Sequence, residues 1–547
     1  MSSLLPQNSP TAKLGGQGSV AGQTGAVRKR PVSRHDDDYD AIVIGAGHNG
    51  LITAAYLAKA GLSTLLIEAR DSVGGTASSE QFCGATVNIC NCDHITFRTT
   101  PVIEELRLKQ HGLEYLDVEP AQHHIAWSDG ATWTQHFDVD ATLDSIGRVC
   151  PNEVDGYRRY LKAAQPAVTM IFEAASVRPT ARSLTSLAIK KRMAGTKSLM
   201  RWSRLSAADV LRTFFDHDAL AGTAAVGGPM VWGVSPELPG TGLGALSHAM
   251  RHVGKVGRPV GGSGAMPEAI RSAYEAVGGQ VRTGLRVAEI LCEAEAVRGV
   301  RLIDGIEHRS RVVISACDPH STFLEWLTNP PPAATKLVNR WRNVPHRDGF
   351  ESKIDAVITT PPIVRAVGEP TASTMVIAPS LAEIDHGYRL MLQGEVLDRP
   401  GLLVNVPTVL DPSMAPAGHP DRHVLSLEVL YTPYRLKGGW PNSGEPARWL
   451  ERFAGLCEPG FLDSIVEYRA MTPDIYERDF HLPAGHATSF AGGPLAIFRS
   501  KDPELTHYET AVTGLFITGA ATFPGAGIWG ASGRNCAAVV LDRLGIG

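Results

Sequence analysis

A strand–helix–strand unit near the N-terminus constrains the fold of this chain more than any other feature. The first predicted strand, 41–44, consists of Ala, Ile, Val and Ile, which is typical of a strand buried on both faces. A helix is predicted over 51–60 and a second apolar strand over 64–67. Two parallel strands joined by a helix are the building unit of α/β folds, so the sequence predicts an α/β protein.

Three glycines join the first strand to the helix. Gly45, Gly47 and Gly50 follow the pattern G-x-G-x-x-G. In this pattern the first glycine permits a tight turn, the second lets backbone N–H groups reach a diphosphate, and the third lets helix and strand pack closely. Glu68 ends the second strand, where a carboxylate can accept hydrogen bonds from ribose hydroxyls. This order of elements predicts dinucleotide binding, and the alternative is a glycine-rich turn without a ligand.

A second glycine turn follows the acid. Gly74 and Gly75 stand shortly after Glu68, where their backbone can reach the same diphosphate. The spacing resembles that of the GG-doublet flavoproteins, a class that includes amine oxidases and carotenoid desaturases, and the resemblance implies FAD as the cofactor. Members of that class often have Arg on both sides of the doublet, whereas this chain has Ser72 and Thr76. We therefore expect backbone N–H groups to contribute more to cofactor binding, with Thr76 beside them.

A glycine-rich segment near the C-terminus favours FAD over NAD. A buried strand is predicted at 515–518, and Gly519 and Ala520 form the turn at its end. In GG-doublet flavoproteins the closing segment returns to the first domain and covers the flavin ring. Ile528 and Trp529 lie in the loop expected against that ring, where Trp529 would stack on it or shape the cavity. The alternative is a structural strand–loop–helix without a cofactor.

Several short sequence motifs indicate which branch of these flavoproteins the chain resembles. The stretch 522–535 resembles the "(T/A)HPGxGVxGxxGxNAA" ending of phytoene-desaturase-like proteins, with Phe523 where His is usual. The stretches 261–266, 286–290 and 313–319 resemble that family's GGMGAL turn, the strand whose valine meets the adenine, and the "VISNADP" strand end, which implies an adenine contact for Val287. The resemblance runs from Tyr39 over nearly the whole chain. It is nearest to the pyridine nucleotide-disulfide oxidoreductase domain 2-like subgroup.

The domain organisation follows from these matches. We expect a discontinuous Rossmann-type FAD-binding domain made of 39–135, 255–322 and 490–547. The stretches 136–254 and 323–489 would form a substrate domain with a mixed sheet and helices. Alternating runs at 352–358 and 423–429 are typical of half-buried strands in that sheet.

The N-terminal 38 residues are rich in Ser, Gly, Gln and Pro and are predicted to be a disordered tail. An organelle transit peptide is the alternative, because 1–35 contain basic residues and no Asp or Glu.

Composition excludes other classes of function. A net charge of -4 gives no whole-chain case for nucleic-acid binding. Eight cysteines do not form a disulfide framework, so an intracellular, cytoplasmic or membrane-peripheral location is expected. The cluster at Cys83, Cys90, Cys92, Asp93 and His94 matches no common zinc pattern, and no metal is predicted.

The stretch 182–204 is basic and amphipathic. It contains seven Lys or Arg residues and no acid, interleaved with Leu, Ile, Met and Trp. Such a helix is typical of peripheral contact with a membrane surface, where a lipophilic substrate could enter. The stretch also resembles the membrane-contacting helices of carotenoid desaturases in its position. The alternatives are a solvated basic face and an oligomer contact. The sequence does not indicate the oligomeric state.

The predicted reaction is a dehydrogenation or desaturation. Hydride would pass from a C–H of a lipophilic substrate, such as a polyene or an isoprenoid, to the flavin. This chemistry depends on close placement in a dry cavity, so no catalytic residue is assigned. His248 and His252, one helical turn apart, are more typical of surface residues, and His486 is a candidate to face the flavin.

Three other functions remain open. A flavin amine oxidase would need an aromatic pair at the flavin and a lysine linked through water to its N5. A non-redox isomerase would use reduced flavin without net electron transfer. A flavin-holding interaction protein would bind the cofactor without turnover.

Overall fold

The computed structural model describes residues 38–90, 93–486 and 502–546. The predicted N-terminal tail lies outside these residues, except for Asp38. The described strands, in chain order, are β1 (Asp38–Tyr39), β2 (Ala41–Ile44), β3 (Thr64–Ile67), β4 (Ser79–Phe82), β5 (Ala85–Asn88), β6 (Tyr115–Asp117), β7 (Gln122–Ala126), β8 (Thr132–Gln135), β9 (Gly257–Pro259), β10 (Gln280–Arg282), β11 (Val287–Glu293), β12 (Ala296–Leu302), β13 (Glu307–Ser310), β14 (Val313–Ser315), β15 (Glu351–Ile358), β16 (Thr374–Ala378), β17 (Leu402–Asn405), β18 (His423–Leu430), β19 (Ile465–Met471) and β20 (Leu515–Ile517).

The α-helices of the described residues connect and cover these strands. In chain order they are α1 (His48–Lys59), α2 (Val102–Glu105), α3 (Val139–Val149), α4 (Val154–Ala175), α5 (Ala181–Lys190), α6 (Thr196–Trp202), α7 (Ala207–Arg212), α8 (Asp218–Val226), α9 (Ser247–Val253), α10 (Ala265–Ala276), α11 (Thr335–Arg342), α12 (Leu381–Leu392), α13 (Glu445–Ala454), α14 (Pro473–Phe480), α15 (Glu504–His507) and α16 (Ala531–Leu544).

A five-stranded parallel sheet carries the predicted strand–helix–strand unit. Its strand order is β10-β3-β2-β14-β20, and every neighbouring pair is parallel. Strand β2 is buried on both faces, because Ala41 and Val43 belong to one apolar core and Ile42 and Ile44 to another. Helices α1, α10 and α16 pack together beside this sheet. The α/β class predicted from the sequence is confirmed.

The parallel sheet is assembled from three separate stretches of the chain. Strands β2 and β3 come from the first stretch, β10 and β14 from the middle one, and β20 from the last. A four-stranded sheet of order β1-β13-β12-β11 takes β1 from the first stretch and its other three strands from the middle one.

A seven-stranded mixed sheet forms the second layer of the fold. Its order is β19-β15-β18-β17-β16-β7-β8, with β16 and β7 parallel and the other pairs antiparallel. Strands β7 and β8 belong to this sheet although they lie within 39–135, which the sequence assigned to the cofactor domain.

The central strands of the mixed sheet are buried on both faces rather than half-buried. One face is apolar and packs against α13, with Ile354 and Leu427 among its residues. The opposite face carries Lys353 and Asp355, whose exposed fractions are 1% and 0%. The alternation seen in the sequence separates an apolar core from buried polar groups, so the prediction of a solvent-facing side was wrong.

The basic stretch 182–204 forms two short helices, α5 and α6, at the surface. No residue of α5 is buried. Within the described part of the chain, no helix is both long enough and apolar enough to cross a bilayer.

Candidate functional site

A cavity of about 240 Å³ lies at the carboxyl ends of the parallel strands. Ile44 and Ile67, the last residues of β2 and β3, form part of its wall, and Ala316 follows β14 there. Ligands of open α/β sheets bind at this edge. The predicted site residues that line the cavity are Gly45, Gly47, Gly50, Glu68, Gly74, Gly75, Thr76, Val287, Gly519 and Ala520.

The three glycines of the first turn have different physical roles. Gly45 has φ +94°, and a Cβ there would lie 2.6 Å from Cys317 Sγ. A Cβ on Gly50 would lie 2.0 Å from the carbonyl oxygen of Gly45. A Cβ on Gly47 would meet nothing within 4 Å. Gly45 and Gly50 are therefore required by the fold. At Gly47 the absence of a side chain leaves room for a ligand to approach the backbone.

The N-terminus of α1 is arranged to receive an anion. Gly47 is its N-cap, and among the described residues no side chain caps the helix. The first turn contains no acidic residue. The first N–H groups of a helix have no partner within it, and they carry partial positive charge. These features fit the diphosphate of a dinucleotide.

Glu68 is fixed at the cavity wall by two backbone N–H groups. The amide of Ala46 donates to Oε2 at 2.7 Å, and the amide of Arg70 donates to Oε1 at 2.9 Å. Each carboxylate oxygen retains a further lone pair for a ligand hydroxyl. The carboxylate is therefore held in place before any ribose binds.

The second glycine turn lies directly against the first. The amide of Gly74 donates to the carbonyl of Ala46 at 2.8 Å, and Gly47 and Gly74 form a parallel bridge. Gly74 and Gly75 have φ +107° and +57°, a conformation that glycine adopts without strain. Both turns thus contribute backbone to one cavity, as the spacing predicted.

Sequence reasoning missed two arginines at the cavity. Arg70 and Arg286 line it although the usual Arg positions beside the doublet hold other residues. Arg70 forms an ion pair with Glu80 at 2.8 Å, and its guanidinium lies 4.0 Å from the centroid of the Phe480 ring. The position of Arg70, just after Glu68, was a signal that could have identified it.

Ile528 and Trp529 do not line this cavity. Trp529 is 8% exposed and meets Phe172 edge-to-face, with ring centroids 5.7 Å apart. The carbonyl of Ile528 accepts a hydrogen bond from Thr96 Oγ1 at 2.5 Å. The indole therefore packs into the apolar core that includes α4, rather than against the space where the glycine turns meet.

The histidine candidates have different positions. His486 is buried, lines the cavity and meets Phe350 edge-to-face. His248 and His252 are buried beneath the helical layer, so the prediction of surface residues was wrong. His252 Nε2 lies 2.9 Å from the hydroxyl of Tyr157, and burial lowers the pKa of His248 to about 3. Both are held by local hydrogen bonds within the core.

The cysteine cluster provides no metal centre in the part of the chain described, where no three His, Cys, Asp or Glu side chains are close enough to hold an ion. Asp93 instead forms an ion pair with Arg258 at 2.8 Å, and His94 Nε2 lies 2.7 Å from Ser263 Oγ. Cys92 lies outside the described residues.

A buried charged cluster on the mixed sheet was also missed. Lys353 Nζ donates a hydrogen bond to the carboxylate of Asp355. Lys353 also lies opposite Glu428 in the antiparallel pair of β15 and β18. Burial raises the pKa of Glu428 to about 7. Burial and the nearby charge of Glu428 raise the pKa of Glu351. The side chains of both glutamates make no hydrogen bond within the described residues.

The cluster is connected to the cavity through Cys90. Burial and the charges of Glu351 and Glu428 raise the pKa of this thiol, and the nearby side chain of Thr76 lowers it slightly. Thr76 lines the cavity. Polar groups of the mixed sheet therefore lie near the part of the cavity wall that Thr76 forms.

Comparison with known proteins defines the class. Residues 50–346 match the family described as flavin containing amine oxidoreductase. The chain belongs to this family and is an FAD-dependent oxidoreductase, and the site fits that cofactor. The flavoprotein class and FAD, both predicted from the sequence, are confirmed.

Individual relatives agree with the predicted branch. The chain is 30% identical to pyridine nucleotide-disulfide oxidoreductase domain-containing protein 2 of Mus musculus, covering 93% of this chain and 94% of that protein. It is 25% identical to one of the subunits of limonene dehydrogenase from Castellaniella defragrans (93% and 95%) and 26% identical to the lycopene-forming phytoene desaturase of Pseudescherichia vulneris (92% and 99%). A solved putrescine oxidase variant superposes with a TM-score of 0.62 at 19% identity, covering 92% of this chain and 99% of that one, and shows a shared fold.

Proposed function

We propose that the protein is a dehydrogenase or desaturase that transfers hydride from a C–H of a lipophilic substrate to FAD. The observation that carries the proposal is the meeting of two glycine turns and the fixed Glu68 carboxylate at one cavity. The names of the limonene and phytoene relatives support a hydrocarbon or isoprenoid-like substrate.

The cofactor-binding roles follow from the cavity wall. We assign the diphosphate to the backbone at Gly47 and Gly75, the ribose to Glu68, and the adenine to Val287 at the start of β11. Gly519 and Ala520 would lie on the flavin side, where bound FAD supplies the hydride acceptor. Thr76 lines the cavity and lies near Cys90, beside the polar groups of the mixed sheet.

The substrate side is assigned to the mixed sheet and the helices that cover it. The cofactor domain then comprises 39–135 without β7 and β8, together with 255–322 and 490–547, and the substrate domain comprises β7, β8, 136–254 and 323–489. Apolar side chains of α4, α8 and α9 provide a dry environment in which a C–H can be placed close to a hydride acceptor.

Flavin loading and substrate reduction test the proposal. The purified protein should show flavin absorbance, release FAD on denaturation, and lose its visible band anaerobically when mixed with an isoprenoid substrate. Geometric conversion without bleaching would identify the isomerase instead. A folded protein that takes up no flavin on titration would contradict the assignment altogether.

Amine oxidation is the second candidate, because the buried Lys353 supplies a lysine next to the polar cluster that reaches Thr76. Bleaching by primary amines, with hydrogen peroxide formed in air, would select this function over desaturation. Unchanged absorbance with amines, together with bleaching by isoprenoids, would exclude it.

We also propose peripheral membrane contact through 182–204, for a protein located inside the cell. Ile189, Met193 and Met200 are 67%, 54% and 47% exposed and lie among Lys and Arg side chains. An apolar and basic surface of this kind binds anionic lipid. The free state of the described cysteines supports the intracellular assignment.

A further inference from the structure

A half-buried arginine on helix α9 has no carboxylate partner among the described residues. Arg251 belongs to α9, and its Nε is buried with no hydrogen-bond partner among the described residues. Its one side-chain hydrogen bond there is a long one, 3.4 Å from Nη1 to the carbonyl of Ser247. No ion pair in the described residues includes Arg251. Part of its surface remains accessible, although burial lowers the pKa of the guanidinium, and we take the accessible part to border an internal space.

The charge around Arg251 does not balance. Asp93 is the carboxylate whose charge acts on it, and Asp93 already pairs with Arg258 at 2.8 Å. The neighbouring His124, His248 and His252 all have pKa values lowered by burial, which favours their neutral forms. Within the described part of the chain, two arginines and one aspartate leave one positive charge uncompensated. The two internal stretches outside the described residues, 91–92 and 487–501, contain no Asp or Glu.

A second unpartnered atom lies in the same region. His124 on β7 is 1% exposed, and its Nδ1 has no partner among the described residues, while its Nε2 lies 3.2 Å from Gln135 Oε1. The ring of His124 lies 4.7 Å from that of His248, which stands three residues before Arg251 on α9. Burial lowers the pKa of His124. Buried polar atoms are nearly always hydrogen-bonded, so two such atoms in one region indicate a missing polar partner.

The region adjoins the cofactor cavity. His94 follows Asp93 in the chain, and its Nε2 lies 2.7 Å from Ser263 Oγ, just before α10. Pro267 of α10 lies against Gly74, which lines the cavity. A ligand whose polar end lies at Arg251 can therefore extend past His94 toward the flavin side. Ile95, next to His94 in the chain, belongs to the same apolar core as Trp529.

We propose that Arg251, with His124 beside it, binds the carboxylate of a substrate that is otherwise apolar. A single uncompensated positive charge matches a monoanion rather than a diphosphate, and the planar guanidinium suits a carboxylate. The inference rests on the proposed function, which it refines from an uncharged lipophilic substrate to a lipophilic monocarboxylic acid. A buried unpaired charge is costly, and binding the substrate removes that cost.

Paired probes with identical chains test the head-group preference. Oleate and oleyl alcohol are titrated into the FAD-loaded protein, and binding is followed by calorimetry. The wild type should bind oleate at least about tenfold more tightly than the alcohol. Arg251→Met should bind both probes with similar affinity and keep the wild-type affinity for the alcohol, whereas Arg251→Lys should retain a reduced preference. Arg271→Met, at the surface of α10, serves as the matched control and should leave the preference unchanged.

Thermal unfolding separates a binding role from a structural one. Without ligand, Arg251→Met should melt at or above the temperature of the wild type, because it removes an unpaired buried charge. Equal affinity of the wild type for the two probes, or a preserved preference in Arg251→Met, would overturn the proposal. Flavin content and anaerobic bleaching are recorded on the same samples. A preference for oleate without bleaching by any lipophilic substrate would refute the desaturase function and leave the carboxylate site standing.

Discussion

Lys353 and Glu428 lie directly opposite each other on antiparallel strands, on the buried polar face of the mixed sheet. The lysine bonds to Asp355 rather than to this glutamate, and burial raises the pKa of Glu428 to about 7. A carboxyl group with a raised pKa in the folded state holds its proton more strongly there than in the unfolded chain. Its contribution to stability is therefore complete below the unfolded pKa and is lost as the pH rises through the folded pKa.

The first prediction concerns this pH dependence. The melting temperature should fall between about pH 5 and about pH 8, and Glu428→Gln should reduce that fall, because glutamine does not ionise. Differential scanning fluorimetry across this range measures both slopes. Glu458→Gln, at an exposed position, is the control and should follow the wild type. Identical slopes for wild type and Glu428→Gln would show that this group is not the cause.

The second prediction separates the glycines of the first turn. Gly47→Ala should fold with an unchanged melting temperature in its flavin-free form, because the new Cβ meets no protein atom within 4 Å. It should bind FAD at least about tenfold more weakly, since the methyl group enters the ligand's space. Gly50→Ala should instead lower the melting temperature or prevent folding. Normal FAD binding by Gly47→Ala, measured by flavin titration, would remove this turn from the site.

The third prediction tests the Glu68 carboxylate. Glu68→Gln should weaken FAD binding by about tenfold or more, because hydrogen bonds to a charged acceptor contribute about 1.5–3 kcal/mol. The amide group would also turn an N–H toward the backbone N–H groups of Ala46 or Arg70. Calorimetric titration of the flavin-free protein gives the affinity, and the exposed Glu104→Gln is the control. Equal affinities for the three proteins would refute the ribose assignment.

The fourth prediction concerns Trp529. Because its ring packs against Phe172 and not in the cavity, Trp529→Ala should lower the free energy of unfolding by about 3 kcal/mol. The absorbance maxima of bound flavin should not move. Urea unfolding and visible spectroscopy measure the two effects. A shifted flavin spectrum with little loss of stability would restore the contact with the ring that the sequence predicted.

The fifth prediction concerns the membrane surface of α5 and α6. The protein should co-sediment with phosphatidylglycerol vesicles at low salt, and binding should weaken as salt is raised. Replacing Lys190, Arg192 and Lys197 by Glu should abolish sedimentation, while Arg271→Glu on α10 should not. Equal sedimentation with zwitterionic phosphatidylcholine vesicles would exclude an electrostatic contact.

The cofactor half of the site was predictable because its geometry is local. The order of strand, glycines, helix and acid sets the positions of Gly45, Gly50 and Glu68 within a short stretch of chain. Hydrogen bonds across these few residues, such as that from Ala46 to Glu68, fix the turn with little help from the rest of the protein. Gly519 and Ala520 could be added because their strand pairs with β14.

The substrate half was not predictable for the opposite reason. The pairing of Lys353 with Glu428 joins residues far apart in the chain, and period-two alternation cannot distinguish a buried polar face from a solvated one. The packing of Trp529 against Phe172 was not predictable, because glycine-rich loops do not fix the direction of their side chains. Arg251 could not be identified from the sequence, because the sequence does not show that no described carboxylate pairs with it.

The interleaved order of the parallel sheet also has consequences for biosynthesis. Strand β20 joins the sheet beside β14, and the turn that follows it completes the cavity wall. A nascent chain emerging from the ribosome therefore cannot close this pocket until residues near 520 have been translated. Until then the edge of β14 stays open to solvent or to chaperones, and the vitamin-derived cofactor can be captured stably only after synthesis is almost complete.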